Sequence, residues 1–155
     1  MEFIKSKILT HPNLKHAFCL RSGGVSPHPY KSLNCSYYVG DQSINVKKNH
    51  ELILKRLNFE KSFSVKQVHS NKVVCAEDHF NKNTEVEADA IICKSFDHAI
   101  SVTTADCAPI LIFDRKELIV GVAHAGWKGA VKGITDNLIE RFQMNGSLIE
   151  NILVA

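Results

Sequence analysis

Short runs of hydrophobic and β-branched residues, separated by polar breaks, fill the middle of the chain from residue 62 to residue 124. Six of these runs predict strands: FSVKQVH, KVVCA, ADAIICK, AISVTT, APILIFD and ELIVGVAH. The polar tetrapeptide DRKE at 114–117 predicts a hairpin turn between the last two runs. The central part of the chain is therefore expected to be rich in sheet.

The hydrophobic period becomes helical between residues 41 and 59. Val46, Ile53 and Leu57 fall near one face of a helix there. Asp41 or Ser43 is available to cap the N-terminus of this helix.

A second helix is predicted after residue 124. Hydrophobic residues recur there at helical spacing, and they are Trp127, Val131, Ile134, Leu138 and Phe142. Asn145–Gly146 provides a stop signal. The pattern predicts one continuous helix.

The two ends of the chain complete the outline. Residues 21–34, RSGGVSPHPYKSLN, predict a long loop, and loops of this length often carry function. The final residues, NILVA, begin another strand that we expect to lack a pairing partner. We therefore expect one domain over residues 1–155, of mixed α/β (α+β) class, with a strand-rich centre covered by helices.

Composition narrows the possible partners and compartment. The 45% hydrophobic and 23% charged residues are ordinary for a globular protein, and the net charge of +3 comes from scattered Lys and Arg. We therefore expect neither a nucleic-acid nor a membrane partner. The five cysteines form no CxxC pair, and no stretch reads as a signal peptide or membrane span. Reduced thiols and a cytoplasmic location are expected.

Three potential ligands are predicted to lie at strand ends, namely His69, Cys107 and His124. Two imidazoles and one thiolate suit zinc, and a three-ligand site leaves the fourth position open, as catalytic zinc requires. The ligands are separated by 38 and 17 residues, so spacing alone does not specify a site. On these grounds Cys107 remains a core residue, a nucleophile or a metal ligand.

Two glycine-containing turns are candidates for binding an anion. Gly126 and Gly129 flank a predicted strand-to-helix turn, where backbone N–H groups and Lys128 would favour negative charge. The alternative is a tight turn with Trp127 packed in the core. Arg21 opens the loop at 21–34, where its guanidinium suits phosphate or carboxylate, or is simply a surface side chain.

Several segments in order resemble one known family. The motifs that carry the resemblance are RSGGVSPHPYKSLN, GD at 40–41, KQVHS, ADA at 88–90, TTADCAPILIFD and GVAHAGWKGAVKGI. As a set they resemble the multicopper-oxidase-like laccase-domain proteins, also called the YfiH or peptidoglycan-editing-factor family, whose animal relatives are the FAMIN purine enzymes. The resemblance extends from about residue 17 to the end of the sequence.

The resemblance implies a layered α/β/β/α fold and one zinc ion held by His69, Cys107 and His124. It also implies phosphorolysis of adenosine, inosine, guanosine and methylthioadenosine, and deamination of adenosine. The chain departs from the family pattern at Leu20, where threonine is usual, and in its HPY, SLNCS and QVHS segments. Family members continue beyond NILVA, so we expect the family's C-terminal part to be lacking here.

This resemblance gives each candidate residue a provisional role. In deamination we expect activated water to attack C6 of adenine, while Asp106 or Asp89 moves the proton or merely pins a loop. In phosphorolysis we expect Arg21 and the turn from Gly126 to Gly129, including Trp127 and Lys128, to bind phosphate and substrate near the sugar C1′. The implied partners are a purine nucleoside and phosphate.

Three alternatives remain open. A cysteine hydrolase acting on cell-wall precursors would use Cys107 as nucleophile and His124 as base. A copper oxidoreductase would need an axial methionine, and the chain contains only Met1 and Met144. A non-catalytic module would use zinc only for stability. The sequence makes no prediction of oligomeric state.

Overall fold

The computed structural model describes residues 1–82 and 84–155 and confirms the mixed α+β class. In chain order its strands and α-helices are β1 (Phe3–Ile4), β2 (Phe18–Cys19), α1 (Ser43–Leu57), β3 (Lys61–Ser64), β4 (Val73–Cys75), β5 (Ala90–Cys93), β6 (His98–Ser101), β7 (Ala108–Asp114), β8 (Val120–Ala125), α2 (Trp127–Val131), α3 (Ile134–Met144) and β9 (Ile152–Val154). Short 3-10 turns cover Ala76–Asp78 and Ile149–Asn151. None of the helices in the described part of the chain has the length and hydrophobicity needed to cross a membrane.

Five strands form the central sheet in the order β4-β5-β8-β7-β9. Strands β4 and β5 are parallel, and the other neighbouring pairs are antiparallel. The predicted hairpin between β7 and β8 is confirmed. Its turn is stabilised by Asp114, whose Oδ1 accepts the backbone N–H groups of Lys116 at 2.7 Å and Glu117 at 3.0 Å.

Both faces of this sheet are covered by hydrophobic side chains. Helix α3 packs on one face, where Ile134, Leu138 and Phe142 are fully buried among residues of β5, β7 and β8. The parallel pair β3–β6 contributes Phe63 and Ile100 to the other face. Burial from both sides explains why β5 is hydrophobic along its whole length instead of alternating.

The prediction of one continuous helix after residue 124 is wrong. Helix α2 ends at Val131, and α3 begins after Gly133, which adopts a left-handed φ of 79°. This left-handed conformation interrupts the helical backbone at Gly133, so two helices form instead of one. Trp127 and Val131 are consequently 71% and 83% exposed, so Trp127 is not a core residue.

Strand β9 does have a partner, contrary to the sequence-based expectation. It pairs antiparallel with β7, and Leu111 and Ala155 exchange backbone hydrogen bonds of 2.8 and 2.9 Å. The pairing joins distant parts of the chain, which local hydrophobic pattern does not reveal.

The N-terminal end of α1 also differs from the prediction. The capping position is Gln42, which makes no side-chain capping bond. Asp41 instead accepts the backbone N–H of Gln42 and the side-chain amide of Asn34. Asp41 therefore ties the loop at 21–34 to the start of the helix.

Candidate metal centre

The structure brings His69, Cys107 and His124 together. Each offers one potential ligand atom, and these atoms all lie within 4.8 Å of one another. The two imidazole rings meet edge to face, with centroids 4.7 Å apart and an angle of 81°. His124 is only 4% exposed, Cys107 is half-buried and His69 is exposed, so the group opens to solvent on the His69 side.

The β7–β8 hairpin positions two of these side chains. Cys107 immediately precedes Ala108, which is paired with Ala125, and His124 lies opposite Pro109. Antiparallel pairing therefore places the thiol and the imidazole at the same end of one hairpin. The predicted location of both residues near strand ends agrees with this geometry.

The sequence predicted His69 at the end of a strand, but in the structure His69 reaches the group from a turn. Strand β3 already ends at Ser64, and His69 has a φ of +57°, which is uncommon for a residue other than glycine. The turn is held by Asp89, whose carboxylate accepts the N–H groups of Val68 at 3.2 Å, His69 at 3.0 Å and Ser70 at 2.6 Å. Consecutive N–H groups converging on one anion stabilise this backbone conformation.

The same carboxylate orients the second imidazole. Asp89 Oδ1 lies 2.8 Å from His124 Nδ1, and the aspartate is fully buried. Burial opposes ionisation, but hydrogen bonds from His124 and Ser70 hold the pKa of Asp89 below its ordinary value. The Nδ1 contact leaves Nε2 of His124 available to a metal, an arrangement typical of metal-binding histidines.

Close packing explains the two glycines of the HAGWKG segment. A Cβ on Gly126 would lie 2.5 Å from His69 Nδ1 and 3.2 Å from Cys107 Sγ. A Cβ on Gly129 would lie 2.7 Å from the carbonyl oxygen of Ser70. Both glycines therefore allow the start of α2 to press against the His69 turn, a packing role beside the predicted anion-binding one.

The surroundings of Cys107 do not lower the pKa of its thiol. Desolvation, and then the exposed carboxylate of Asp106 beside it, raise the pKa of Cys107. Reactive cysteines normally have a lowered pKa, whereas a coordinating metal removes the thiol proton outright. The surroundings of Cys107 therefore suit a ligand better than an unassisted nucleophile.

Arg21 makes its hydrogen bonds within the loop at 21–34. Its guanidinium donates through Nε and Nη2 to the carbonyl oxygen of Lys31, at 3.2 and 2.8 Å. Buried Asn49 of α1, which the sequence analysis did not single out, holds this loop through Val25, Ser26 and Asn34. Among the described residues no hydrogen bond joins Arg21 to the three clustered side chains.

Lys128 and Trp127 lie at the start of α2, directly after Gly126. The Lys128 ammonium is 5.6 Å from the centre of the exposed indole ring. Both side chains therefore stand beside the turn that contacts His69 and Cys107, and neither is buried.

The donor set fits a single zinc ion. Two imidazoles and one thiolate are preferred zinc ligands, with bonds of about 2.0 to 2.3 Å, and three protein ligands leave one position for a reactant. Over residues 1–82 and 84–155, this is the single group of three or more His, Cys, Asp or Glu residues with metal-binding geometry.

Comparison with known proteins places these features in a family context. Residues 15–155 match the family described as multi-copper polyphenol oxidoreductase laccase. Purine nucleoside phosphorylase YlmD of Bacillus subtilis is 34% identical over 134 residues, covering 81% of this chain and 48% of the relative. A purine nucleoside phosphorylase of Deinococcus radiodurans is 34% identical over 152 residues, covering 96% of this chain and 58% of the relative. The chain thus spans about half the length of these relatives.

Solved structures show the same similarity. A crystal structure of a DUF152 protein from Neisseria meningitidis superposes with a TM-score of 0.83 at 34% identity, covering 90% of this chain and 56% of the other. YlmD from Geobacillus stearothermophilus gives a TM-score of 0.79 at 28% identity, covering 86% and 53%. These matches confirm the resemblance to YfiH-type proteins that the sequence motifs indicated.

Proposed function

The chain belongs to the multi-copper polyphenol oxidoreductase laccase family, and on this premise we propose that it is a zinc-dependent purine nucleoside enzyme. The proposed reactions are phosphorolysis of adenosine, inosine, guanosine and methylthioadenosine, and deamination of adenosine. The observation that carries the proposal is the grouping of His69, Cys107 and His124 within 4.8 Å. The names of the curated relatives support the choice of substrate. Residues 1–155 are proposed to act as one domain.

Zinc (Zn2+) fits the group better than copper does. When bound, it would supply a Lewis acid and an activated water at neutral pH. A blue-copper site would need a weak axial methionine, but Met144 is 70% exposed at the end of α3. A multi-copper site would need further ligand groups, and the described residues provide one.

In phosphorolysis, the residues around the group would bind and orient the two reactants. The exposed indole of Trp127 offers a flat surface on which a purine base can stack. Lys128 would supply positive charge for phosphate, which would attack the sugar C1′ as the glycosidic bond breaks. We propose the same role for Arg21, whose guanidinium would have to exchange its bonds to the Lys31 carbonyl for phosphate. The products would be a free purine and ribose 1-phosphate, or 5-methylthioribose 1-phosphate when methylthioadenosine is the substrate.

In deamination, Asp106 is the better candidate for moving a proton. It is exposed and stands next to Cys107, whereas Asp89 is buried and saturated by five hydrogen bonds from Val68, His69, Ser70 and His124. We therefore assign Asp89 to positioning. If Asp106→Asn leaves deamination unchanged, Asp106 has no role in proton transfer.

The decisive experiment incubates the purified chain with adenosine, with or without phosphate and with or without a zinc chelator. We expect adenine only when phosphate is present and inosine in its absence, and we expect chelation to abolish both. Cys107→Ser and a surface variant, Lys82→Ala, serve as inactive and active controls. Zinc measured at one ion per chain, with neither product formed, would refute the activity but not the metal site.

A second candidate is the cysteine hydrolase acting on cell-wall precursors. Asp89, His124 and Cys107 lie in the order of a carboxylate–histidine–nucleophile triad, with His124 Nδ1 2.8 Å from Asp89. The raised pKa of Cys107, from desolvation and Asp106, opposes this reading. A triad also has no need of His69, which a zinc site requires.

His69 therefore discriminates between the two candidates. His69→Ala should abolish zinc binding and purine turnover, while a triad enzyme would retain its hydrolytic activity. The matched control is His98→Ala, which changes a histidine of β6 outside the three-ligand group. Hydrolysis of a UDP-MurNAc-amino-acid precursor by metal-free protein, blocked by a thiol alkylator, would favour the hydrolase.

A further inference from the structure

Gln67 connects the segment that carries His69 to the loop at 102–107, which lies between β6 and β7 and is called the Cys107 loop below. Its side-chain Nε2 donates to the carbonyl oxygen of Thr103 at 2.7 Å. Its Oε1 accepts the Thr103 backbone N–H at 2.8 Å and the Thr103 hydroxyl at 3.0 Å. One carboxamide thus satisfies three polar groups of a residue 36 positions away in the sequence.

This contact lies just beyond the last paired residues of strands β3 and β6. Strands β3 and β6 pair in parallel up to Ser64 and Ser101, and Lys66 then bridges to Glu87 instead. Beyond that point the Gln67 carboxamide presents a donor and an acceptor to the Thr103 backbone, as a neighbouring peptide group would. The two chain segments therefore remain joined where their backbones have parted.

The joined segments bear two of the three clustered side chains. His69 follows Gln67 by two residues, and Cys107 follows Thr103 by four. The far end of the Cys107 loop is fixed where Ala108 pairs with Ala125. Asp89 contacts the backbone of His69 and the ring of His124, but no described hydrogen bond joins it to the Cys107 loop.

We propose that Gln67 is a positioning residue that holds the Cys107 loop opposite His69. In this arrangement Asp89 aligns the two histidines, and Gln67 positions the thiol of Cys107 opposite them. The zinc part of this inference rests on the proposed function. The loop geometry can be tested without metal.

The test compares wild type with Gln67→Met, which keeps the side-chain length but removes all three hydrogen bonds. We expect zinc affinity, measured by competition with a chromogenic chelator, to fall about 10- to 100-fold. In zinc-free protein we expect Cys107 to be alkylated several times faster, as mapped by mass spectrometry. Gln67→Glu retains the acceptor for both Thr103 donors and should recover part of the affinity.

Controls separate this role from general stability. Gln143→Met makes the same change on the exposed side of α3 and should leave both readouts unchanged. Thr103→Val removes only the hydroxyl contact and should shift both readouts in the same direction by less. If Gln67→Met does not fold, Gln67→Glu and Thr103→Val provide the same comparison.

One outcome would overturn the proposal, namely wild-type zinc affinity together with wild-type alkylation of Cys107 in Gln67→Met. If the free energy of unfolding falls while both readouts stay unchanged, Gln67 is a purely structural residue. If the wild-type chain binds no zinc, the proposed function fails, and the alkylation rates alone decide whether Gln67 positions the loop.

Discussion

Two carboxylates at opposite ends of strand β5 make similar contacts in different surroundings. Asp89 directly precedes the strand and accepts N–H groups from Val68, His69 and Ser70. Glu77 lies in the turn after β4 and accepts the N–H groups of Lys94 at 2.6 Å and Ser95 at 2.9 Å, just beyond the other end of β5. Each carboxylate therefore fixes a turn by binding neighbouring backbone amides.

The two carboxylates differ in burial and in the side chains that donate hydrogen bonds to them. Asp89 is fully buried and contacts an imidazole that faces a second imidazole and a thiol. Glu77 is an exposed residue, and its carboxylate accepts hydrogen bonds from the thiols of Cys75 at 3.0 Å and Cys93 at 3.3 Å. Burial, and then Glu77, raise the pKa of Cys75 to about 11, and burial is the main cause that raises the pKa of Cys93 to about 12.

The comparison shows that thiols near a carboxylate are not enough for a metal site. At Glu77 the cysteines remain protonated hydrogen-bond donors, and this cluster does not meet the geometry found for His69, Cys107 and His124. At Asp89 the carboxylate acts through imidazoles, whose second nitrogen stays available. We therefore interpret the Asp89 end as functional and the Glu77 end as structural.

The strongest test of this distinction is Asp89→Asn. The amide keeps the shape of the side chain but turns one acceptor oxygen into a donor. The groups bound to that oxygen then lose their acceptor, and these are either His69 N–H and His124 Nδ1, or the N–H groups of Val68 and Ser70 with the Ser70 hydroxyl. Because at least two polar groups lose their acceptor, we expect the free energy of unfolding to fall by roughly 2 to 4 kcal/mol. Zinc affinity should fall by about 10- to 100-fold or more.

Denaturant unfolding with and without zinc measures both effects. Asp97→Asn, at a carboxylate outside both clusters, is the matched control and should change neither quantity. Full zinc affinity in Asp89→Asn would show that the buried carboxylate does not position the ligands.

The next test, Gly126→Ala, disturbs the three-ligand group without touching Asp89. The backbone of Gly126, with φ −67° and ψ 157°, is allowed for alanine, so only the added methyl group matters. That group would lie 2.5 Å from His69 Nδ1. We expect zinc affinity to fall by about 10- to 100-fold, comparable to the loss of a residue that orients ligands.

Lys128→Ala changes an exposed neighbour of Gly126 and should leave zinc affinity intact, while weakening the use of phosphate. Isothermal titration of zinc into each variant provides the measurement. Unchanged affinity in Gly126→Ala would mean that the ligands tolerate the displacement.

The sequence predicted local features better than long-range contacts. The hairpin between β7 and β8 could be predicted because its signals lie within a short stretch ending at Asp114 and resuming at Val120. The break at Gly133 was missed because hydrophobic spacing continues across it. Hydrophobic spacing does not reveal a single residue in a left-handed conformation.

The candidate site shows the same limit. The three clustered residues were identified through their motifs, since separations of 38 and 17 residues carry no geometric information. The positioning role of Asp89 depends on contacts with residues 19 to 21 positions before it and 35 positions after it. Only the folded sheet brings those groups together, so the sequence left Asp89 as a proton carrier or a loop anchor.

A smaller effect is expected at the structural end of β5, from Glu77→Gln. Burial opposes ionisation, but hydrogen bonds from Cys75 and Lys94 lower the pKa of Glu77 from 4.5 to about 2. A carboxyl with a lowered pKa stabilises the fold fully above about pH 4.5, and this stabilisation is lost as pH falls towards 2. Because Glu77 is exposed, we expect only about 1 to 2 kcal/mol at pH 7.

Unfolding measured from pH 7 to pH 2 should show the wild type and Glu77→Gln converging at the acidic end. Zinc affinity at pH 7 should be the same for both. Glu140→Gln on α3 controls for the loss of one surface charge. A drop in zinc affinity in Glu77→Gln would contradict the division between the two ends of β5.

The smallest effect is expected for Cys75→Ser, which retains a hydrogen-bond donor to Glu77 and so should change unfolding free energy by less than about 1 kcal/mol. Elemental analysis should still find one zinc per chain, as in wild type, whereas Cys107→Ser should lose it. The pair is well matched because both changes replace a half-buried thiol next to a carboxylate, Glu77 in one case and Asp106 in the other. A loss of zinc in Cys75→Ser would mean that the cluster around Glu77 holds metal, and that hydrogen bonding by a carboxylate does not distinguish a structural thiol from a ligand.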